Sequence, residues 1–167
     1  GGHKKVKIVE VNAYHVRPRW GFVEIITDEG ITGWGEAVLE GHCDAVLACV
    51  QEYRSYLIGQ DPFRIEDISA TIFRAGFYRG GGVLMSALSG IDQALWDIKG
   101  KAFGAPAYEL MGGKCRDKIK VYSWIGGDRP DDVAKAALER KKMGFDAIEF
   151  TDLQPPEGVG EEEYAQQ

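Results

Sequence analysis

The sequence has no long apolar run, few cysteines and no excess of basic residues. No apolar segment reaches the roughly 18 residues that a membrane-spanning helix needs. Lys4, Lys5 and Lys7 are not followed by an apolar segment, so no secretory signal peptide is predicted. The formal charge of -6 leaves no basic stripe for a nucleic-acid backbone. We therefore expect a cytoplasmic protein that binds neither membranes nor nucleic acids.

The cysteines are three in number: Cys43, Cys49 and Cys115. An odd count, with no CxxC pair and no neighbouring histidine cluster, argues against a disulfide framework and against a zinc site. The pattern predicts buried thiols in a reducing compartment. With 167 residues, of which 44% are hydrophobic, the chain can form one domain, or one domain and part of another.

The first part of the chain has the pattern of antiparallel strands followed by helices. Alternating apolar residues predict strands over Lys5–Val16, Phe22–Thr27 and 31–40, with a hairpin turn at Asp28–Gly30. Spacings of three and four then predict helices over 42–57, from Asp61 onward and over 83–103. Asp61 is expected to cap the second helix, since aspartate is a favoured N-cap residue and Pro62 suits the first helical position.

A second pattern begins at Lys118. A strand over 119–127, an amphipathic helix that Asp128 caps and Gly144 ends, and a strand over 145–150 form a βαβ unit with parallel strands. The remaining residues, 151–167, are rich in Pro, Gly and Glu and predict a loop or a disordered acidic tail. We predict two domains, an α+β domain over 1–117 and a second domain over 118–167.

Two loops carry candidate binding residues. RPRW (Arg17–Trp20) offers two guanidinium groups and an indole, which suit a carboxylate or a polyol. RAGFYRGGG (Arg74–Gly82) combines glycines with Tyr78 and Arg79. From composition alone, the first is better explained as a surface turn with Trp20 packed on the core, and the second can be a plain connection between helices.

No catalytic group can be assigned from the residues themselves. Asp92 and Asp97 are five apart on a predicted helix, so their carboxylates diverge and cannot form a dyad. His15 and His42 have no metal-binding residues near them in sequence. We therefore predict neither a catalytic residue nor a metal ligand in this chain.

The segment Ala87–Gly113 resembles the helix signature of the enolase superfamily, in its mandelate racemase and muconate-lactonizing branch. TDEGITGWGEA (Thr27–Ala37) is similar to the hairpin of that family, and RAGFYRGGG and YSWIGGDRP resemble galactonate dehydratases and related sugar-acid dehydratases. The residues that fit the helix signature are Ala87, Ser89, Gly90, Ile91, Asp92, Ala94, Leu95, Asp97, Gly100, Lys101, Pro106, Leu110 and Gly112.

The resemblance implies an α+β capping domain, with a three-stranded antiparallel sheet and helices, followed by the first βαβ unit of a TIM-like (β/α) barrel that is incomplete in this chain. In that family two capping loops line the substrate pocket. Their equivalents here make Arg17, Arg19, Trp20, Tyr78 and Arg79 candidate substrate-binding residues.

The resemblance also implies a chemistry: a proton is abstracted from the carbon next to a sugar carboxylate, Mg²⁺ stabilises the enediolate, and a β-hydroxyl leaves. The metal ligands and the acid and base are expected downstream, on the third and later barrel strands. Glu149 stands where members often have a lysine, so no lysine base is assigned.

The chain is accordingly expected to be the N-terminal part of a lyase that forms a homo-oligomer at full length, and to lack dehydratase activity alone. The alternatives are a racemase, epimerase or cycloisomerase of the same superfamily, a non-catalytic capping or oligomerisation module, and a binding module for acidic sugars.

Overall fold

The computed structural model describes residues 5–127 and 129–150, in two compact units that meet between Gly113 and Lys114. The first unit contains β1 (Ile8–Val16), β2 (Trp20–Thr27), β3 (Thr32–Glu36), α1 (Cys43–Glu52), α2 (Arg54–Leu57), α3 (Ile65–Arg74), α4 (Gly82–Phe103) and α5 (Ala107–Leu110). The second contains β4 (Ser123–Ile125), α6 (Pro130–Lys142) and β5 (Ile148–Phe150). None of these helices, in the part of the chain that is described, combines the length and apolarity needed to cross a bilayer.

The first unit has the predicted antiparallel sheet, in the order β1-β2-β3. Side chains alternate across it, so that Val11, Val23 and Ile25 face inward and are buried, whereas Tyr14 and Trp34 face outward. The turn after β2 is closed by Thr27, whose hydroxyl donates to the Ile31 carbonyl at 2.9 Å and accepts from the Ile31 amide at 3.1 Å. The predicted α+β architecture is confirmed.

The core lies between the inner face of the sheet and the helices α1, α3 and α4. Helix α4 contributes the largest buried stripe, because its apolar residues recur every three or four positions and so share one face. The buried residues of that stripe are Ala87, Ile91, Ala94, Leu95 and Ile98.

Helix α4 lies directly against β3, and glycines make this approach possible. A Cβ atom on Gly33 would overlap the Ala94 carbonyl oxygen, and one on Gly35 would overlap the Gly90 carbonyl oxygen. From the helix side, a Cβ on Gly90 would press against Ala37. The contact between helix and strand is therefore one of backbone on backbone.

The polar side chains of α4 bond to the free edge of β3. The Gln93 side-chain oxygen accepts from the Glu36 amide at 3.0 Å, and the Gln93 side-chain nitrogen donates to the Glu36 carbonyl at 3.2 Å. Asp97 accepts from the Trp34 amide at 2.9 Å, and Lys101 donates to the Thr32 carbonyl at 2.7 Å. These side chains satisfy a strand edge that would otherwise offer unpaired hydrogen-bonding groups.

Three local predictions in this unit are wrong. Asp61 does not cap a helix: its carboxylate accepts from the Phe63 amide at 2.9 Å in a turn, and α3 begins later, at Ile65. The single helix expected over 42–57 is interrupted at Tyr53 and forms α1 and α2. The third strand, expected over 31–40, ends at Glu36.

The second unit contains the predicted parallel strand pair, with Trp124 opposite Glu149. Pro130 lies in the first turn of α6, and Gly144, at φ 98°, follows the end of that helix, as predicted. A hydrogen bond to Glu149 raises the pKa of the Tyr122 phenol. Asp128 and the expected tail at 151–167 lie outside the described residues. The domain boundary between 117 and 118 stays a prediction.

None of the three cysteines is in a disulfide. Cys43 and Cys49 are buried, as predicted, but Cys115 is exposed, and that part of the prediction is wrong. Cys115 lies in the irregular segment after α5, where no helix or strand covers it.

Candidate functional site

The first candidate loop connects β1 and β2. Arg17 is exposed, and Trp20 begins β2 with 41% of its surface accessible. The Arg19 guanidinium carbon lies 5.9 Å from the centre of the Trp20 ring, within the range of a cation–π contact. Trp20 is not packed in the core, so the interpretation of RPRW as a turn with a core tryptophan is wrong. The loop exposes Arg17 and the indole of Trp20 to solvent, whereas Arg19 is half-buried.

The second candidate loop connects α3 and α4. Phe77 and Tyr78 are 93% and 85% exposed, and their rings meet edge to face at 5.3 Å. Gly80 and Gly81 have φ values of 77° and 91°, which residues with a Cβ rarely adopt. The glycines therefore set the path of the backbone into α4, and Tyr78 and Arg79 stand exposed just before it.

Both loops lie at the same end of the first unit. The Ala37 amide donates to the Gly21 carbonyl at 2.8 Å, which joins the segment after β3 to the start of β2. The start of α4 adjoins the same segment, since a Cβ on Gly82 would lie 3.0 Å from the Leu39 side chain. Among the described residues, no hydrogen bond or ion pair joins the two loops. The fold thus brings the candidate residues to one end of the unit.

A cleft of about 300 Å³ opens beside the second loop, between the ends of α1 and α3 and the start of α4. Tyr78 lines it, together with the polar residues Glu52 and Tyr53. The residues of the first loop do not line it. Glu52 and Tyr53 were not predicted as site residues, because both are ordinary positions of the amphipathic helix predicted over 42–57.

The electrostatics of this cleft do not favour an anion. Burial raises the pKa of the Tyr53 phenol, and burial likewise raises the pKa of the Cys49 thiol next to it. Both groups are therefore neutral at pH 7, and Glu52 is the one carboxylate among the lining residues. An acidic ligand is better matched by the exposed Arg17 and Arg79 and by the half-buried Arg19.

The carboxylates of α4 are structural. Asp92 accepts a hydrogen bond from the Ser69 hydroxyl at 2.7 Å, which joins α3 to α4. Asp97 bonds to Lys101 at 2.7 Å as well as to β3, so the two aspartates face different partners. Within residues 5–127 and 129–150, no group of three histidine, cysteine or acidic side chains could hold a metal ion. The described residues do not fit Mg²⁺.

A protein-family model matches the part of the chain that contains this sheet and these loops. The model is the N-terminal domain of mandelate racemase and muconate lactonizing enzyme, and it covers residues 10–112. The chain belongs to this family. The enolase-superfamily resemblance of Ala87–Gly113 is thereby confirmed.

Individual relatives agree with the family. The chain is 58% identical to a D-galactonate dehydratase of Pectobacterium atrosepticum and 54% identical to one of Xanthomonas axonopodis, each over 145 residues. Those matches cover 87% of this chain but 38% of either relative. A crystal structure of an enolase from Pantoea ananatis, with bound D-gluconate and Mg, has a TM-score of 0.80 at 40% identity. It is matched over 87% of this chain and 36% of its own.

Membership in the mandelate racemase and muconate lactonizing family gives the signature helix a physical meaning. Gly90 and Ala94 allow the close approach to β3, whereas Asp97 and Lys101 bond to the strand edge. The pattern that identifies the family is thus a packing pattern. It sets the distance between α4 and β3, and the residues of the pattern have structural roles.

Proposed function

We propose that this chain is the substrate-covering part of a Mg²⁺-dependent sugar-acid dehydratase that acts on galactonate or a similar acid. The observation that carries the proposal is the shared end of the two loops. Arg17, Tyr78 and Arg79 are exposed there, and the half-buried Arg19 lies against the Trp20 ring. Guanidinium groups bind carboxylates through charge-assisted hydrogen bonds, and aromatic faces cover the apolar side of a sugar. The relatives at 54–58% identity carry the same activity in their names.

The chain spans 38% of the length of those relatives. We therefore assign the chemistry to the whole protein. The proposed reaction removes the proton next to the sugar carboxylate and then expels the β-hydroxyl as water, leaving a 2-keto acid after tautomerisation. Mg²⁺, its ligands and the acid and base are assigned to the remaining part of the protein, because the described residues supply none of them. Cytoplasmic location and a homo-oligomer at full length belong to the same proposal.

A chimera tests the proposal directly. This chain replaces the corresponding N-terminal part of the Pectobacterium atrosepticum D-galactonate dehydratase, and the product is assayed with D-galactonate and Mg²⁺. We expect a 2-keto acid from the chimera and none from the isolated chain. A chimera that folds and binds Mg²⁺ but forms no 2-keto acid from D-galactonate would contradict the proposed substrate. Turnover by the isolated chain would overturn the assignment of the reacting groups to the remainder.

The loop residues are tested in the same chimera. Arg19→Gln removes a proposed carboxylate partner, so we expect KM for D-galactonate to rise roughly tenfold or more, in line with the loss of one hydrogen bond to a charged group. Arg64→Gln is the matched control, since Arg64 is an exposed arginine at the start of α3, paired with Asp67. Equal KM values for the two variants would remove Arg19 from the site.

A further inference from the structure

His15 joins three segments of the first unit through its imidazole ring. Its Nδ1 atom lies 2.7 Å from the Asp44 carboxylate, in the first turn of α1. Its Nε2 atom lies 3.3 Å from the carbonyl oxygen of Pro18, inside the candidate loop. The side chain is mostly covered, at 23% exposure, whereas that of Asp44 is 84% exposed.

Both partners of this ring are hydrogen-bond acceptors. A carboxylate and a backbone carbonyl have no hydrogen to give, so each ring nitrogen must donate one. The two contacts are therefore satisfied together only by the doubly protonated imidazolium. In that form the bond to Asp44 is an ion pair, which is stronger than a neutral hydrogen bond.

The position of the ring makes the contact a link between loop and helix. His15 lies near the end of β1, Pro18 lies three residues further along, and Asp44 belongs to a helix on the inner side of the sheet. The Pro18 carbonyl precedes Arg19, so the bond restrains the backbone that directs the Arg19 and Trp20 side chains.

We propose that His15 is a positioning residue that anchors the β1–β2 loop to α1 and so holds Arg19 and Trp20 in their substrate-facing orientation. The anchor itself is a property of this chain, whereas its role towards substrate rests on the proposed function. His15 acts through the loop and does not touch the substrate.

Hydrogen exchange of the isolated 167-residue chain tests the anchor. Asp44→Asn and His15→Gln should each speed the exchange of the Arg19, Trp20 and Gly21 amides about two- to fivefold, the range that an exposed ion pair gives. His15→Arg should restore protection, because a guanidinium group can donate to both acceptors. Asp67→Asn is the control, since it breaks a comparable pair with Arg64 at 3.0 Å in α3.

Unchanged exchange at Arg19–Gly21 in Asp44→Asn would overturn the anchor. Asp44→Asn also keeps the test valid if His15→Gln does not fold, because the Asp44 side chain is 84% exposed. In the chimera, Asp44→Asn should raise KM for D-galactonate about two- to fivefold with kcat unchanged. Faster exchange without a change in KM would confirm the anchor and refute the role of this loop in binding substrate.

Discussion

Gln93 of α4 and Glu36 of β3 are paired through the side-chain amide of one and the backbone of the other. The Gln93 oxygen accepts from the Glu36 amide at 3.0 Å, and the Gln93 nitrogen donates to the Glu36 carbonyl at 3.2 Å. A glutamine thus takes the place of a fourth strand at this position. Asp97 and Lys101 continue the arrangement one and two turns along the helix.

Gln93→Ala should lower the free energy of unfolding by about 1–2 kcal/mol, because two net hydrogen bonds are lost and the strand edge is left to water. Gln51→Ala is the control, since Gln51 is an exposed glutamine on α1. Urea unfolding followed by circular dichroism measures both. Equal stabilities for the two variants would show that the edge bonds contribute nothing net.

Gly35→Ala should destabilise the first unit by about 3 kcal/mol or more, since the added methyl group meets the Gly90 carbonyl and neither backbone can move away cheaply. Gly76→Ala serves as control, because its Cβ would lie 3.3 Å from the nearest atom, in a loop. Thermal unfolding distinguishes the two. A wild-type melting temperature for Gly35→Ala would contradict the close contact between helix and strand.

Glu24→Gln should lower the pKa of Tyr14. That pKa is raised chiefly because the phenol donates a hydrogen bond to the Glu24 carboxylate at 2.9 Å, and a phenolate there would face a like charge. With a neutral amide the value should fall towards the ordinary value of about 10. The measurement is an NMR titration of ¹³C-labelled tyrosine, with Tyr14→Phe to assign the signal. Glu10→Gln, which removes a weaker and more distant contribution, should shift the value less.

Cys115 should react with a thiol reagent at pH 7 well before Cys43 and Cys49. Reaction needs an accessible thiolate, and Cys115 is exposed, whereas burial both covers Cys49 and raises its pKa. Mass spectrometry of partly labelled protein identifies the modified residue. In Cys115→Ser, the fast phase should vanish; a fast phase that persists would mean that the core around α1 opens readily.

The sequence predicted the elements whose signal is periodic. The alternation in β1 and β2 and the spacing of Ile91, Leu95 and Ile98 follow from the face that each element buries, so their type and order were correct. The prediction that Asp61 caps a helix was wrong because an aspartate side chain can equally close a turn before the helix. The break at Tyr53 had no such local signal, since the apolar positions continue through it.

The candidate site was predicted less completely than the fold, for a physical reason. The residues of the two loops could be named only through a family resemblance, because exposed arginines and aromatics carry no periodic pattern. The contact of His15 with Asp44 joins residues 29 apart in sequence, so no local motif indicates it. Gln93, Asp97 and Lys101 occur at helical spacing, but their partners lie on a strand about 60 residues earlier and become visible only in the folded unit.

The backbone contact between α4 and β3 has a consequence for how such a protein can change its specificity. The distance from helix to strand is set by glycines and carbonyl groups, so substitutions among the side chains of the core alter it little. The second loop leads into the start of α4, and the end of β3 is bonded to the start of β2 beside the first loop. These two points therefore remain at a constant separation. Substitutions in the two loops can therefore change which ligand is recognised with little effect on the stability of the fold.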